Sequence, residues 1–354
     1  MEPKRARQTH HQYWGSASHN APAKMSGLFA SLNPPSPFAP PSIIYLILTE
    51  PLKLVGRLCD LILSLLHSSP RSSSPPVRVV CISDTHCLQA PVPDGDLLIH
   101  AGDLARTGTP AELQAQIDWL ASLPHQHKVV IAGNHDTFLD PRSRKTLFAV
   151  DQQGVLDWKD IHYLQHAALT LQFHSGQRQL NVYGAPQIPL CGGSNFAFQY
   201  PREHDAWSDT IPEDTDVLVT HTPPQYHLDL PAALGCKYLL AEVWRTRPRV
   251  HVFGHVHAGR SDLVGRLKSG REVVRWDQGQ KCLERLVGRG NAFLSGVLDY
   301  RNWLDLAGIF VYGVSSVLWA RVWGGRSEAT IMVNAALMYM DSGELRNPPQ
   351  VVEI

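Results

Sequence analysis

The sequence predicts an α/β fold in which helices cover the sheets, and two observations carry that expectation. Short apolar, β-branched runs alternate with polar loops and helical segments along most of the chain. Each unusual polar cluster also falls just after the C-terminal end of one of those runs, the position where open α/β sheets bind ligands. A length of 354 residues, 44% hydrophobic and 18% charged, allows one large domain with appendages or two ordinary domains.

Taken from the start, residues 1–42 are polar, rich in Pro, Ser and His, and lack an apolar period, so disorder is expected there. The opening MEPKRARQTHHQYWG is not followed by the apolar stretch of a signal peptide. Residues 43–67 read as an amphipathic helix capped by Thr49, with Pro51 in its first turn. Lys53, Arg57, Asp60, Ser64 and His67 share one face and the remaining faces are apolar. Its 14 Ile, Leu and Val residues favour insertion into a bilayer by roughly 6 kcal/mol. Glu50, Lys53, Arg57 and Asp60 oppose it by about 10–14 kcal/mol at mid-membrane. The balance disfavours spanning and leaves two readings: a helix docked on its own catalytic domain, or one lying in a membrane interface. Residues 68–76, SSPRSSSPP, read as a linker, and the catalytic domain is expected over 77–354.

Within that domain, residues 77–83, 96–102, 128–133, 179–184, 216–221 and 249–255 read as strands. Residues 110–123 and 237–244 read as helices between them. Residues 259–328 form an insertion. Its first part, GRSDLVGRLKSGR, reads as a mobile loop. Its uncharged stretch 306–320 is shorter than the roughly 20 residues of a bilayer span. A core helix or a lid is expected there, with a second membrane contact beside 43–66 as the alternative.

Charge is balanced, with 32 Lys and Arg against 32 Asp and Glu, so no global field attracts nucleic acid, and no specific nucleic-acid binding is expected. Six cysteines form no CxxC pair and suggest neither a zinc ribbon nor a disulfide framework. A reducing, cytoplasmic setting fits them, with membrane association if the two apolar segments share a side. The 18 histidines call for an explanation, since histidine is the commonest metal ligand.

Their placement supplies it. The strand ends are followed in turn by Asp84-Thr85-His86, Gly102-Asp103, Gly133-Asn134-His135-Asp136, His221, and Gly254-His255-Val256-His257. Carboxylate, imidazole and amide oxygen together suit borderline divalent cations, and two such cations can clamp an in-line phosphoryl displacement. Asp103 is the single carboxylate in the middle of the set, and Gly102 and Gly133 allow close backbone approach. His255 and His257, two apart on an extended chain, would present both side chains to one side. Each cluster alone has an ordinary explanation as a turn or a surface histidine; the ordered conjunction of five does not.

The order D-x-H, GD, GNHD, H, GHxH resembles the calcineurin-like metallophosphoesterases from Val77 to about His257. The stretches GAPQIPLCGGSNFAFQYPR, DTDVLVTHTPP, RVHVFGHVHAG, TIMVNAALMY and NPPQVVEI are similar to the metallophosphoesterase domain-containing subgroup. That resemblance implies two packed mixed β-sheets flanked by helices. It implies two divalent metals (Mn, Fe or Zn), one on Asp84, His86 and His257, the other on Asn134, His221 and His255, with Asp103 and a water or hydroxide bridging them. The bridging hydroxide would attack the ester. His135 would stabilise the phosphoryl oxygens or protonate the leaving alkoxide, and Asp136 would orient His135. The implied function is a binuclear metal-dependent phosphodiesterase or phosphatase acting on a small phosphoester such as a nucleotide. The alternatives are a metallonuclease and a membrane-associated interaction protein with a structural metal site. Oligomeric state leaves no mark in the sequence.

The other histidines read as ordinary: His100 and His251 as core or supporting residues, and His125, His127, His162, His166, His174, His204 and His227 as surface or loop. Asn195, Phe196 and Trp207 are candidates for a substrate pocket.

Overall fold

A computed structural model describes residues 31–35, 39–67, 74–261, 270–290, 293–325, 328–340 and 342–354. Of residues 1–42, where disorder is expected, 1–30 and 36–38 lie outside the described residues, as do most of the 68–76 linker and 262–269 of the loop expected over 259–271. The described remainder holds a helical turn at 31–32, Ser42 as the cap of the first helix, and a 3-10 turn that runs to Ser261.

Two sheets pack face to face. The first has the order β13-β1-β2-β3-β4. It comprises β1 (Arg78–Ile82), β2 (Leu97–Ala101), β3 (His127–Ile131) and β4 (Ile161–Tyr163) in parallel, with β13 (Gln350–Glu353) antiparallel to β1. The second has the order β11-β12-β10-β9-β6-β5. Its strands are β5 (Ala167–Phe173), β6 (Arg178–Ala185), β9 (Val217–Thr220), β10 (Val250–Phe253), β11 (Arg271–Arg275) and β12 (Ala329–Asn334). Its inner pairs, β6–β9, β9–β10 and β10–β12, are parallel and its edges antiparallel. A two-stranded ribbon, β7 (Ile188–Pro189) with β8 (Gln199–Tyr200), lies apart.

Alternation along the strands explains why both faces are covered. Val79 and Cys81 of β1 point into the inter-sheet core with Ile99, Ile131, Val182, Val219 and Val252. Val80 and Ile82 point the other way, onto Leu113, Ile117 and Leu120 of α3 (Pro110–Ala121). On the second sheet Leu218, Phe253 and Met332 meet Leu239 and Val243 of α4 (Lys237–Thr246). The layers are therefore helix, sheet, sheet, helix, and the implied two-sheet architecture is what the chain adopts. Thr109 caps α3 by accepting from the Glu112 N–H, and Pro110 opens it.

A further helical layer flanks this sandwich. The expected single helix over 43–66 is two, α1 (Ile43–Thr49) and α2 (Pro51–Leu66). Pro51 has no N–H to continue the ladder and its ring would clash with the carbonyl four residues back, so α1 stops and α2 restarts from Pro51. Thr49 ends α1 rather than capping α2; its hydroxyl donates back to the Tyr45 carbonyl at 2.7 Å. α2 packs on α5 (Gln278–Gly288) and α7 (Tyr300–Val322) through Leu52, Leu63, Cys282, Leu283, Leu286 and Ile309. The stretch 306–320 lies inside α7, a 23-residue helix preceded by the short α6 (Phe293–Leu298). It is longer than its uncharged part because polar residues at its start face inward: Asp305 is buried and receives Arg285 at 2.6 Å and Arg289 at 2.5 Å.

Two histidines expected at the surface are buried, His125 and His227. His125 meets the Pro93 carbonyl at 3.1 Å. His227 sits between Glu272 of β11 (Nδ1 to carboxylate, 3.4 Å) and Glu284 of α5 (Nε2 to carboxylate, 3.3 Å). Burial alone would lower its pKa, but the two carboxylates outweigh that and raise it to about 10. Both partners come from sequence-distant elements, so no local pattern announces the contact.

Removing His227 takes a positive charge from between two carboxylates of this buried ionic set. His227→Ala is expected to lower unfolding free energy by roughly 3–5 kcal/mol in urea titrations. The folded-state pKa is raised, so the charge contribution is complete below the ordinary histidine value near 6.5, declines as pH rises, and is gone above about 10. The difference between wild type and variant should shrink along that range.

Candidate metal centre

Five strands of both sheets end at one place, and their following loops carry the site. Asp84 follows β1, Asp103 follows β2, Asn134 and His135 follow β3, His221 follows β9, and His255 and His257 follow β10. Asp84, His86, Asp103 and His255 all have left-handed backbone, with φ of 55°, 46°, 57° and 63°. Such backbone costs on the order of 1–3 kcal/mol per residue and persists only where surrounding structure over-determines it. Here the bonds are visible: the Asp84 N–H donates to the Gly102 carbonyl (2.9 Å), the His86 N–H to the Asp103 carbonyl (3.1 Å), and the His255 N–H to the Asp84 carboxylate (3.1 Å).

The side chains converge in three overlapping groups. Ligand atoms of Asp84, His86 and His257 lie within 4.8 Å of one another, as do those of Asp84, Asp103 and His221 and those of His86, Asp103 and His135. His257 Nε2 is 3.0 Å from Asp84 Oδ1. His221 Nε2 is 3.4 Å from Asp103 Oδ2 and 3.0 Å from Asn134 Oδ1. The His255 ring lies 5.2 Å from that of His221, and the His86 ring 5.5 Å from that of His257. Asp103 stands between the groups and also accepts the His135 N–H at 2.8 Å. All seven sequence-predicted ligands are thus brought together. His255 and His257 are not on extended chain, however. The left-handed turn at His255 sends one ring toward His221 and the other toward Asp84.

The donor chemistry fits divalent cations. His86 Nε2 is buried with no hydrogen-bond partner, 3.7 Å from the Asp103 carboxylate, an arrangement that is costly unless something binds it. His221 and His257 meet the backbone carbonyls of Ala101 (2.8 Å) and Met340 (2.6 Å) through Nδ1, leaving Nε2 for the site. Burial raises the Asp103 and Asp84 carboxyls, but His221 and His257 respectively more than reverse this and hold them below the ordinary range. Burial pushes His86 down to about 4 and His255 to about 3, keeping their lone pairs free. Burial also disfavours charge on His221 and His257, yet Asp103 and Asp84 raise them to about 9. Cations would displace those protons.

His135 is set differently. Its Nδ1 lies 2.9 Å from the Arg106 carbonyl, its ring stacks edge-on with His86 at 4.8 Å, and it lines a cavity of about 430 Å³. Asp136 does not orient it. The Asp136 carboxylate accepts from the backbone N–H groups of Gly133 (2.7 Å), Ala105 (2.9 Å) and Leu104 (3.3 Å), tying the β2 and β3 loops together. Burial, then the neighbouring Asp103, raises it to about 7. The carboxylate turned to backbone donors because three of them converge there, and a carbonyl had already taken the imidazole.

Arg106, Phe196, Leu230, Leu234, Met338 and Met340 share the cavity wall. Of the loop residues suggested for a pocket, Phe196 is there, 4.9 Å from the His135 ring. Trp207 is instead buried in the core, donating to the Tyr200 hydroxyl at 2.8 Å, and Asn195 is not among the residues lining the cavity. His100 and His251 are buried supports on Thr85 and Thr220. Arg106 and the carbonyls of Ala101, Arg106 and Met340 escaped sequence reading, since a carbonyl has no sequence signature and Arg106 sits in no motif.

A family model described as calcineurin-like phosphoesterase matches residues 77–259. The chain belongs to the calcineurin-like phosphoesterase family. It is 36% identical over 220 residues to human Metallophosphoesterase domain-containing protein 1, covering 54% of this chain and 64% of that protein. It is 35% identical over 204 residues to a UPF0046 protein of Caenorhabditis elegans, covering 54% and 67%. Over 262 residues it is 42% identical to a protein of Emericella nidulans named Probable rhamnogalacturonate lyase C, covering 73% of this chain and 23% of that one. This family member thus spans under a quarter of that relative and just under two thirds of the human one. The names of the human and nematode relatives agree with the metallophosphoesterase domain-containing subgroup.

Two glycines are required by the packing. A methyl group at Gly133 would overlap Asp103 Oδ1 and its backbone nitrogen, and one at Gly254 would overlap Asp84 Oδ2 and Ser83 Oγ. Gly133→Ala and Gly254→Ala should each weaken divalent-metal affinity roughly 10–100-fold, measured by titration with elemental analysis. Asp136→Asn places an amide N–H₂ against backbone donors; a stability loss of about 1–3 kcal/mol is expected in thermal unfolding.

Proposed function

We propose that this phosphoesterase holds two divalent cations and hydrolyses a small phosphoester, diester or monoester, whose organic part is largely apolar or aromatic. The observation carrying this reading is the buried, unpartnered His86 Nε2, set among two ionised carboxylates and three further imidazoles at the floor of an accessible cavity. Asp84, His86 and His257 would hold one cation, and Asn134, His221 and His255 the other, with Asp103 shared. Imidazole with carboxylate suits Mn, Fe or Zn. When bound, such cations supply positive charge to the phosphoryl oxygens and acidify water toward a nucleophile.

The chain's own groups supply the rest. His135 donates Nδ1–H to the Arg106 carbonyl, so Nε2 faces the cavity as a proton acceptor, and a proton taken there from the attacking water is held as Nε2–H of the imidazolium. That proton is available to a phosphoryl oxygen or to the leaving alkoxide. Arg106 lines the same cavity, and a guanidinium suits phosphate oxygens. Phe196, Leu230, Leu234, Val256, Met338 and Met340 offer an apolar wall to the rest of the ester, a surface suited to a nucleobase or another flat or acyl group.

Hydrolysis of an aryl phosphodiester and an aryl phosphomonoester, after loading with Mn, Fe or Zn, tests the reading. His135→Ala should lower kcat by about 10²–10⁴-fold with metal content unchanged. Asp103→Asn should lose both metal and turnover. Unchanged turnover in His135→Ala would remove that residue from the chemistry.

A further inference from the structure

The helical layer turns polar groups inward and apolar ones outward. In a soluble protein an amphipathic helix buries its apolar stripe and exposes its charged one. α2 does the reverse with its polar stripe: Arg57 and Asp60 line a crevice with His227, Glu272 and Glu284, and Ser64 and His67 line another with Arg275 and Asp277. What α2 leaves outside is Val55, Leu58, Ile62, Leu65 and Leu66, from 38% to 75% exposed.

α7 repeats the arrangement. Asn302 and Asp305 are buried, and Asp305 is neutralised by Arg285 and Arg289. Its outer face shows Trp303, Leu304, Phe310, Val311, Leu318 and Trp319, in pairs about two helical turns apart; the one charged residue between Trp303 and Trp319, Asp305, is turned inward. The helix is long and apolar enough to cross a membrane, yet it is packed along α2 and α5. The two helices join at their C-terminal ends, where Arg321 Nε donates to the Leu66 carbonyl at 2.9 Å. There Leu65, Leu66, Val322 and Trp323 are all exposed.

A contiguous exposed apolar surface of this kind marks an interaction site. Its aromatic groups identify the occupant. Tyr300 and Trp303 stand at one end of α7 and Trp319 and Trp323 at the other, each pair beside an arginine, Arg321 or the Arg301 that is ion-paired with Asp299 at 2.8 Å. Amphipathic rings and basic side chains bracketing an uncharged stretch suit the headgroup region of a bilayer. We propose that the outer face of α2 and α7 docks this enzyme on a lipid surface, lying in the interface rather than spanning it.

Full-length protein is floated with vesicles of phosphatidylcholine, with and without phosphatidylserine. Wild type should rise with both and more fully with the anionic lipid. The double variant Ile62→Glu, Leu318→Glu should bind at least about tenfold less, with an unchanged thermal midpoint. Bound protein should be released by an alkaline carbonate wash. Absence of flotation overturns the proposal, as does equal binding of wild type and variant. A vesicle-free dimer that the same variant breaks would assign the face to a second copy and overturn it too, and resistance to carbonate would overturn the in-plane arrangement. None of these readouts depends on hydrolytic activity.

Discussion

The Asp103 carboxylate is buried where the strand ends of the two sheets meet, and the loops around it are shaped by that fact. It accepts the His135 N–H, lies 3.4 Å from His221 Nε2 across the inter-sheet boundary, and faces His86 at 3.7 Å. Gly133 passes so close that no Cβ fits between them. A charge in such a place is unaffordable without partners. The imidazoles contributed from both sheets keep it ionised, and its own left-handed backbone is the cost of aiming it inward. The neighbouring Asp136 repeats the theme with backbone donors only, stitching the β2 loop to the β3 loop so that Asp103 and Asn134 stay at fixed separation.

Much of this was legible in the sequence because its physics is local. β1, β2, β3, β9 and β10 are covered on both faces, so they read as unbroken β-branched runs, and the ligand residues follow immediately. β5 is an edge with alternate residues exposed, and β11 is only five residues with charged ends, so neither stood out. The role of Asp136 was misread because a carboxylate's choice between an imidazole and backbone N–H groups depends on which lies nearer in space. His227 was misread because its two glutamates lie 45 and 57 residues away. For α2 the sequence showed a polar face and an apolar face but not which of them points inward. That depends on the charged groups of β11 and α5, which wait beneath it.

The layers are not independent. Leu230 and Leu234 belong to the apolar wall of the cavity over the candidate metal centre, while Pro231 and Ala232 of the same loop line a crevice with Tyr45, Leu46 and Glu50 around α1. One short segment therefore borders both the candidate site and the flanking helices. Its conformation is held by Asp229, whose carboxylate accepts from the N–H groups of Tyr226 and Gly235 at 3.0 and 2.9 Å.

The partnership of α2 with α5 and α7 also has a meaning for how the chain is made. α2 leaves the ribosome more than 200 residues before the helices that cover it, and throughout that interval neither of its faces has a home. The N-terminal helices must wait for the C-terminal third of the protein, a closure of high contact order. A fragment that begins at β1 would keep every candidate ligand, but it needs the C-terminal residues because β12 and β13 complete the two sheets, and it would leave bare the faces of α5 and α7 on which α2 is seated.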